Sequence, residues 1–337
     1  MRISIIGAGI MGLSTAFEFA SAGVEVDLIE RHQGPGLGCS FLAGGMIAPW
    51  CEVESAEPLV CNMGQEALHF WTSDVPVATR QGSLVLAAAR DRPELNRFSR
   101  LTSHYKRLDG AELALLEADL QGRFSEALFF PEEAHLDPRE ATRALAERLA
   151  AMPNVKLHFG VDVSDPADVP ADWIIDCRGL AGRGALPDLR GVKGEMLVLR
   201  TQEITLARPI RFLHPRFPVY IVPRGDGRFM IGATSIENEE EGRITARSMV
   251  ELLSAAMTVH PAFGEAEIIE TGAGLRPAFP NNLPRFRIEG RMVRANGLYR
   301  HGFLLAPPVA RRLRRTILEG AYFPEVMDVD SRERQRA

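Results

Sequence analysis

The first residues whose spacing can do chemistry are the glycines of Gly7-Ala8-Gly9-Ile10-Met11-Gly12, with Glu30 and Arg31 following. The first glycine allows a tight turn, the second lets backbone approach a pyrophosphate, and the third lets a helix pack closely on a strand. A helix starting near Ile10 aims its free N–H groups at the phosphate. Glu30 stands roughly 20 residues on, where a carboxylate accepts from a ribose hydroxyl. It disfavours NADP, whose phosphate it repels, although Arg31 lies beside it. The turn therefore implies a bound dinucleotide and leaves FAD and NAD open. Residues 34–49 are rich in Gly, Ala and Ser with little charge, a composition that fits backbone lying close to a ligand or a plain surface loop.

The elements around these residues follow from periodicity. Residues 2–6 are a short buried strand, residues 11–22 carry apolar and small residues at helical spacing, Gly23 stops that helix, and residues 24–29 form a second strand. This is the opening βαβ unit of a doubly wound sheet. A helix is expected over 59–70, a strand over 82–87 and mostly helix over 91–117. Asp137, Pro138 and Glu140 read as the cap, first position and capping box of a helix running to about residue 151. Strands are expected at 156–159, 160–163 and 173–177. The segment from Gly194 to Gly274 alternates like an antiparallel sheet, with Gly225-Asp226-Gly227 as a hairpin turn. A strand at 291–296 and a helix opened by Pro307 and Pro308 return to the first sheet.

Composition narrows the function classes. The 337 residues carry a net charge of -5, so a broad electrostatic footprint for nucleic acid is not expected. The run Arg311-Arg312-Leu313-Arg314-Arg315 reads as a solvated helix face. Cys39, Cys51, Cys61 and Cys177 have no metal-binding or disulfide spacing and read as reduced thiols. His135 and His214 show no metal spacing with carboxylates, and there is no Gly-x-Ser-x-Gly nucleophile motif. The apolar N-terminus resembles a secretory signal, but glycines interrupt it and a strand follows at once. No segment approaches the ~20 apolar residues of a membrane helix, so a cytoplasmic protein without a membrane partner is expected. Assembly into a homo-oligomer is left open.

The sequence resembles the D-amino-acid oxidase superfamily of flavoproteins, and most closely the glycine oxidases of bacterial thiamine biosynthesis. The resemblance covers almost the whole chain. It rests on residues 7–12 with Glu30-Arg31, on residues 40–49, on Gly194-Glu195-Met196, on residues 220–224 with 231–234, on Gly274-Leu275-Arg276-Pro277 and on residues 299–307, the last two being the most specific. It implies an α/β architecture in which a Rossmann-type FAD-binding domain (1–78, 137–193 and 289–337) is interleaved with an antiparallel-sheet substrate domain (79–136 and 194–288). It implies FAD as cofactor, no metal, a small amino acid or amine as substrate and molecular oxygen as acceptor.

The resemblance also assigns residues. Arg31 and Ser40 would serve the diphosphate and adjacent groups. Ala43, Gly44, Gly45 and Met46 belong to a loop that would lie flat against the flavin ring. Val163 would pack main chain against the adenine and Cys177, with Gly179 after it, would contact the cofactor region, although both Val163 and Cys177 also read as core. Arg300, His301, Gly302, Phe303, Leu304 and Leu305 would bring a helix N-terminus to the flavin pyrimidine edge. Arg276 matches the arginine that clamps the substrate carboxylate, Tyr220 a tyrosine that bonds it, and Arg300 a second arginine near substrate and flavin. His301 stands where relatives carry asparagine, and Ser235 where some place a larger apolar side chain, which leaves substrate size open. The implied reaction is oxidation of glycine or a similar small amino acid to its imine, with peroxide formed from oxygen. The alternatives are a D-amino-acid dehydrogenase, a sarcosine oxidase-like enzyme, or a flavin-bearing subunit of a larger complex.

Overall fold

Continuous apolar runs that bury both faces favour parallel strands covered by helices, and the short runs near both ends of the chain assemble in that way. The computed structural model describes residues 1–53 and 57–328. Its first sheet has six strands: β1 (Arg2–Ile6), β2 (Glu25–Glu30), β8 (Val155–Phe159), β9 (Trp173–Asp176), β15 (Arg285–Glu289) and β16 (Met292–Asn296). Their order is β15-β16-β9-β1-β2-β8, and every pairing is parallel except that of the β15–β16 hairpin.

The second sheet contains β4 (Ser83–Ala87), β5 (Lys106–Asp109), β6 (Glu126–Phe130), β10 (Arg190–Arg200), β11 (Ile210–Leu213), β12 (Val219–Pro223), β13 (Arg228–Gly232) and β14 (Glu267–Ala278). It is antiparallel apart from one join, the parallel pairing of β4 with β11 in which Leu84 lies opposite Ile210. That join connects two stretches of chain far apart in sequence. A small ladder of β3 (Met46–Ile47) and β7 (Ala134–His135) lies outside both sheets.

The helices are α1 (Ile10–Ser21), α2 (Pro58–His69), α3 (Arg92–Leu101), α4 (Gly110–Leu116), α5 (Pro138–Ala150), α6 (Ala246–Val259) and α7 (Gly302–Glu319). Buried residues of α1, α2, α5 and α7 share one apolar core with β1 and β2, whereas α6 packs with Leu197, Phe212 and Ile231 of the second sheet. No helix among the described residues is long and apolar enough to cross a membrane.

Several local expectations need correction. Within 91–117, residues 106–109 form β5 rather than helix. Their charged Lys-Arg-Leu-Asp sequence carries no apolar alternation because β5 is a sheet edge, where charge blunts unwanted pairing. The strand expected through Val163 stops at Phe159, because Gly160 turns away with φ +75°. Asp137 caps α5 through the N–H groups of Arg139 and Glu140, but the reciprocal capping box forms at Asp109 and Glu112 of α4 instead. The first sheet reclaims the chain at Arg285, and β10 of the second sheet begins at Arg190, both slightly earlier than the expected boundaries. Residues beyond 328 in the expected 289–337 segment lie outside the described residues.

The last correction bears on the site. Pro307 and Pro308 do not open α7 but lie inside it, since the helix starts at Gly302. A proline within a helix deprives the carbonyl four residues earlier of its donor. For Pro307 that carbonyl is Phe303 O, and the buried indole Nε1–H of Trp71 donates to it at 2.7 Å. A side chain from another helix thus completes the first turn of α7.

Candidate active site

One elongated cavity runs between the two sheets. Its wall at one end is the turn after β1. Gly7 has φ +101°, and a Cβ there would lie 2.8 Å from the Cys177 carbonyl oxygen. A Cβ on Gly12 would lie 1.8 Å from Gly7 O, so only glycine lets α1 start this close to the turn. Gly7, Gly9, Ile10 and Met11 reach the cavity wall, whereas Ala8 and Gly12 sit behind it. The Ala8 N–H donates to Glu30 Oε2 at 2.7 Å and the His32 N–H to Glu30 Oε1 at 2.9 Å, which fixes the Glu30 carboxylate on the wall. A carboxylate offers about four acceptor sites, so Glu30 retains capacity for a hydroxyl.

Arg31, Ser40, Val163, Cys177 and Gly179 also line this end. The Ile10 N–H donates to Ser40 Oγ at 3.0 Å, joining the start of α1 to the glycine-rich segment. Burial pushes the Cys177 thiol far up, leaving it protonated. The Val163 segment, though irregular, is held by a residue the sequence did not single out. Arg178 pairs with Asp176 and donates from Nη1 to Val163 O at 2.9 Å.

The middle of the wall is the stretch that includes Ala43, Gly44, Gly45 and Met46. Arg224 anchors it from the second sheet, donating to Leu136 O and to Gly44 O, each at 2.7 Å. Gly44 lies under the Tyr220 ring, where a Cβ would come within 2.6 Å of Cε2. Opposite stands the first turn of α7, with Gly302, Phe303 and Leu304 on the wall and Leu305 turned into the core. First-turn N–H groups of a helix have no intrahelical acceptors and carry the positive end of its dipole.

The far end gathers side chains from four distant segments. Arg276, on β14, lies across Gly194 and donates from Nη1 to Thr234 O at 3.0 Å. Among the described residues no carboxylate comes within ion-pair reach of it. Arg300 does have a counter-ion: Glu52 Oε2 lies 3.4 Å from it, and the same carboxylate lies 3.5 Å from Arg211 and 3.8 Å from His301 Nδ1. Tyr220, on β12, points between Gly44 and Gly232, and burial raises its phenol pKa, so it is a neutral hydroxyl. Burial lowers His301 to about 4, so its imidazole is neutral near pH 7.

Glu52, Arg178 and Arg224 were not expected as site residues. Glu52 sits in a Cys-Glu-Val-Glu stretch that reads as solvated acid, and nothing local signals its role. No group of three or more potential metal-ligating residues occurs among the described residues. His135 lies away from this wall and burial lowers it to about 4, while His214 accepts from the backbone of Arg216 and Phe217.

The wall offers a backbone cradle and a carboxylate at one end, small residues and helix amides in the middle, and at the other an arginine with no carboxylate partner among the described residues. That donor set fits a long dinucleotide ending beside an acid. Comparison with known proteins agrees. A putative thiamine biosynthesis oxidoreductase ThiO from Rhizobium etli is 52% identical over 326 residues, covering 96% of this chain and 99% of that one. A glycine oxidase from Pseudomonas aeruginosa is 25% identical, with 93% of each chain covered. The crystal structure of a glycine oxidase from Bacillus cereus superposes with a TM-score of 0.80 at 23% identity, covering 95% of this chain and 96% of that one. The family model for FAD dependent oxidoreductases matches residues 2–316, and the chain belongs to that family.

Proposed function

We propose that this FAD-dependent oxidoreductase oxidises glycine, or a similarly small amino acid, to its imine and passes the electrons to oxygen as peroxide, supplying the imine for thiazole formation in thiamine biosynthesis. The observation that carries the reading is Arg276, a guanidinium on the cavity wall with no carboxylate partner among the described residues. Such a group favours an anion, and its planar fork matches a carboxylate through two charge-assisted hydrogen bonds.

Residues 7–12, 30–31, 40–46, 163, 177–179 and 300–304 would hold FAD, with Gly12, Ala8 and Leu305 supporting from behind. When bound, FAD supplies the two-electron acceptor that takes hydride from the substrate Cα and returns the electrons to oxygen. The chain's part is positioning. Arg276 holds the carboxylate, the neutral Tyr220 hydroxyl donates to it, and Arg300, kept in place by Glu52, adds positive charge beside it. The Gly302 and Phe303 N–H groups, at the positive end of α7, stabilise negative charge that accumulates opposite them on reduction, while those of Leu304 and Leu305 donate to His301 O. With the Tyr220 phenol protonated and the His301 imidazole lowered to about 4, neither is a strong base, and the substrate amine enters deprotonated, its lone pair driving hydride departure. In this reading the first sheet carries the cofactor, the second carries the substrate, and the protein works in the cytoplasm.

The test is anaerobic mixing of the yellow holoprotein with glycine, sarcosine, D-alanine and D-proline while flavin absorbance is followed. Rapid bleaching by glycine supports the reading. Bleaching by an unrelated amine alone overturns it, and preference for sarcosine or a D-amino acid moves the protein to its alternatives.

A further inference from the structure

At the rim of the substrate end, Ser235 Oγ and the Tyr299 hydroxyl lie 2.8 Å apart. The two residues come from different sheets. Ser235 follows β13 and is exposed, whereas Tyr299 follows β16 and is half-buried. Both line the cofactor and substrate cavity. Tyr299 has φ +50°, a conformation that L residues with large side chains seldom adopt, and here it aims the ring across the mouth.

One further hydrogen bond and one ring contact hold that geometry. The Tyr299 N–H donates to Pro277 O at 2.9 Å, and the ring meets His301 edge-on at 6.2 Å. Pro277 follows Arg276, Arg276 donates to Thr234 O, and Ser235 follows Thr234. The chain therefore closes a circuit from the carboxylate clamp through both rim hydroxyls and back.

Space is not what ends the site at this rim. A second cavity of about 760 Å³ lies outside it and shares Tyr220, Ala233, Thr234, Ser235 and Arg300 with the inner one. A substrate substituent that outgrows the inner cavity would enter that space if the rim let it pass.

We propose that the Ser235–Tyr299 hydroxyl pair is a specificity clasp, which confines the substrate to small substituents on its amine or α-carbon. The inference rests on the amino-acid oxidase reading above and names the residues that set its size limit. Opening the clasp joins the inner site to the outer cavity and admits N-alkyl glycines.

The experiment compares holoenzyme with Ser235→Ala, Tyr299→Phe, the double variant, and Ser235→Thr, which keeps the hydroxyl. The readouts are kcat/KM for N-ethylglycine relative to glycine, and the Kd for methoxyacetate relative to acetate by calorimetry, which needs no turnover. Loss of one hydrogen bond should raise each ratio by about two- to tenfold in either single variant. The double variant should go no further, because both changes remove the same interaction, and Ser235→Thr should stay with the wild type. Unchanged ratios in both single variants, or effects that multiply in the double variant, overturn the clasp. If the wild type oxidises neither amine, the parent reading fails on its own, and the carboxylate Kd ratios still decide for or against the clasp.

Discussion

The two ends of the cavity are built from different materials. At the dinucleotide end the wall is main chain, held by contacts so close that Gly7 and Gly12 leave no room for a methyl group. At the end proposed to hold substrate the wall is long charged side chains, Arg276, Arg300 and Glu52, whose positions depend on which partners they find. A backbone cradle is rigid and fails as a whole when a single atom is added. A side-chain site degrades by degrees, one interaction at a time.

Gly12→Ala should break the contrast hardest. Its Cβ, whose position the main chain fixes, would meet the main-chain Gly7 O at 1.8 Å, so neither atom can rotate aside. Overpacking of this kind costs about 1–3 kcal/mol or more, and here it must displace α1 from the phosphate turn. The expected product is colourless or poorly folded protein, read from the flavin-to-protein absorbance ratio and the melting temperature. A variant with full flavin content and unchanged melting would show that the turn is not the rigid part.

Arg276→Ala should separate the ends cleanly. Flavin content should stay near wild type while KM for glycine rises by orders of magnitude, since truncating one partner of a charged hydrogen-bonded pair costs about 2–5 kcal/mol. Steady-state kinetics alongside the flavin spectrum check both halves. Unchanged kinetics would remove Arg276 from the substrate site.

The same contrast explains what could be read from sequence. The turn, α1 and Glu30 lie within one short stretch, so glycine spacing and strand periodicity expose them directly. Tyr220, Arg276 and Arg300 come from separate parts of the chain, and only family resemblance brought them together. Glu52 and Arg178 escaped notice because their importance lies in partners distant along the chain or in a carbonyl that no motif encodes. β5 escaped because an exposed edge strand need not alternate, and the true start of α7 escaped because Trp71 supplies what Pro307 withholds.

Buried titratable groups sharpen the comparison through pH. Glu133 is fully buried behind the loop that carries Glu52, accepting from the Trp50 and Cys51 N–H groups at 2.9 Å each and from Ser83 Oγ. Burial, opposed by these bonds, raises it to about 7. Because its folded pKa lies above the unfolded value of about 4.3, the folded state binds its proton more tightly, and stability falls as pH rises between those values. His301 works the other way. Its folded pKa of about 4 lies below the unfolded value near 6.5, so stability falls as pH drops through that window. Each contribution is on the order of 3 kcal/mol. Urea unfolding from pH 4 to 8 should show Glu133→Gln losing the decline toward neutral pH and His301→Asn losing the decline toward acid. Parallel pH curves for all three proteins would rule out both assignments.

The smallest effect lies where the two ends meet. Trp71→Phe leaves Phe303 O, at the start of α7, with no donor, since Pro307 cannot supply one. An unsatisfied buried carbonyl costs about 1–3 kcal/mol, and melting should fall by a few degrees. Pro307→Ala in that background restores an N–H four residues along, so the double variant should recover part of the loss. A direct packing role for the indole predicts no such recovery. If recovery is accompanied by return of the wild-type flavin spectrum, the helix start is what Trp71 protects. The backbone character of the dinucleotide end then extends, through one borrowed hydrogen bond, to the helix that follows Arg300.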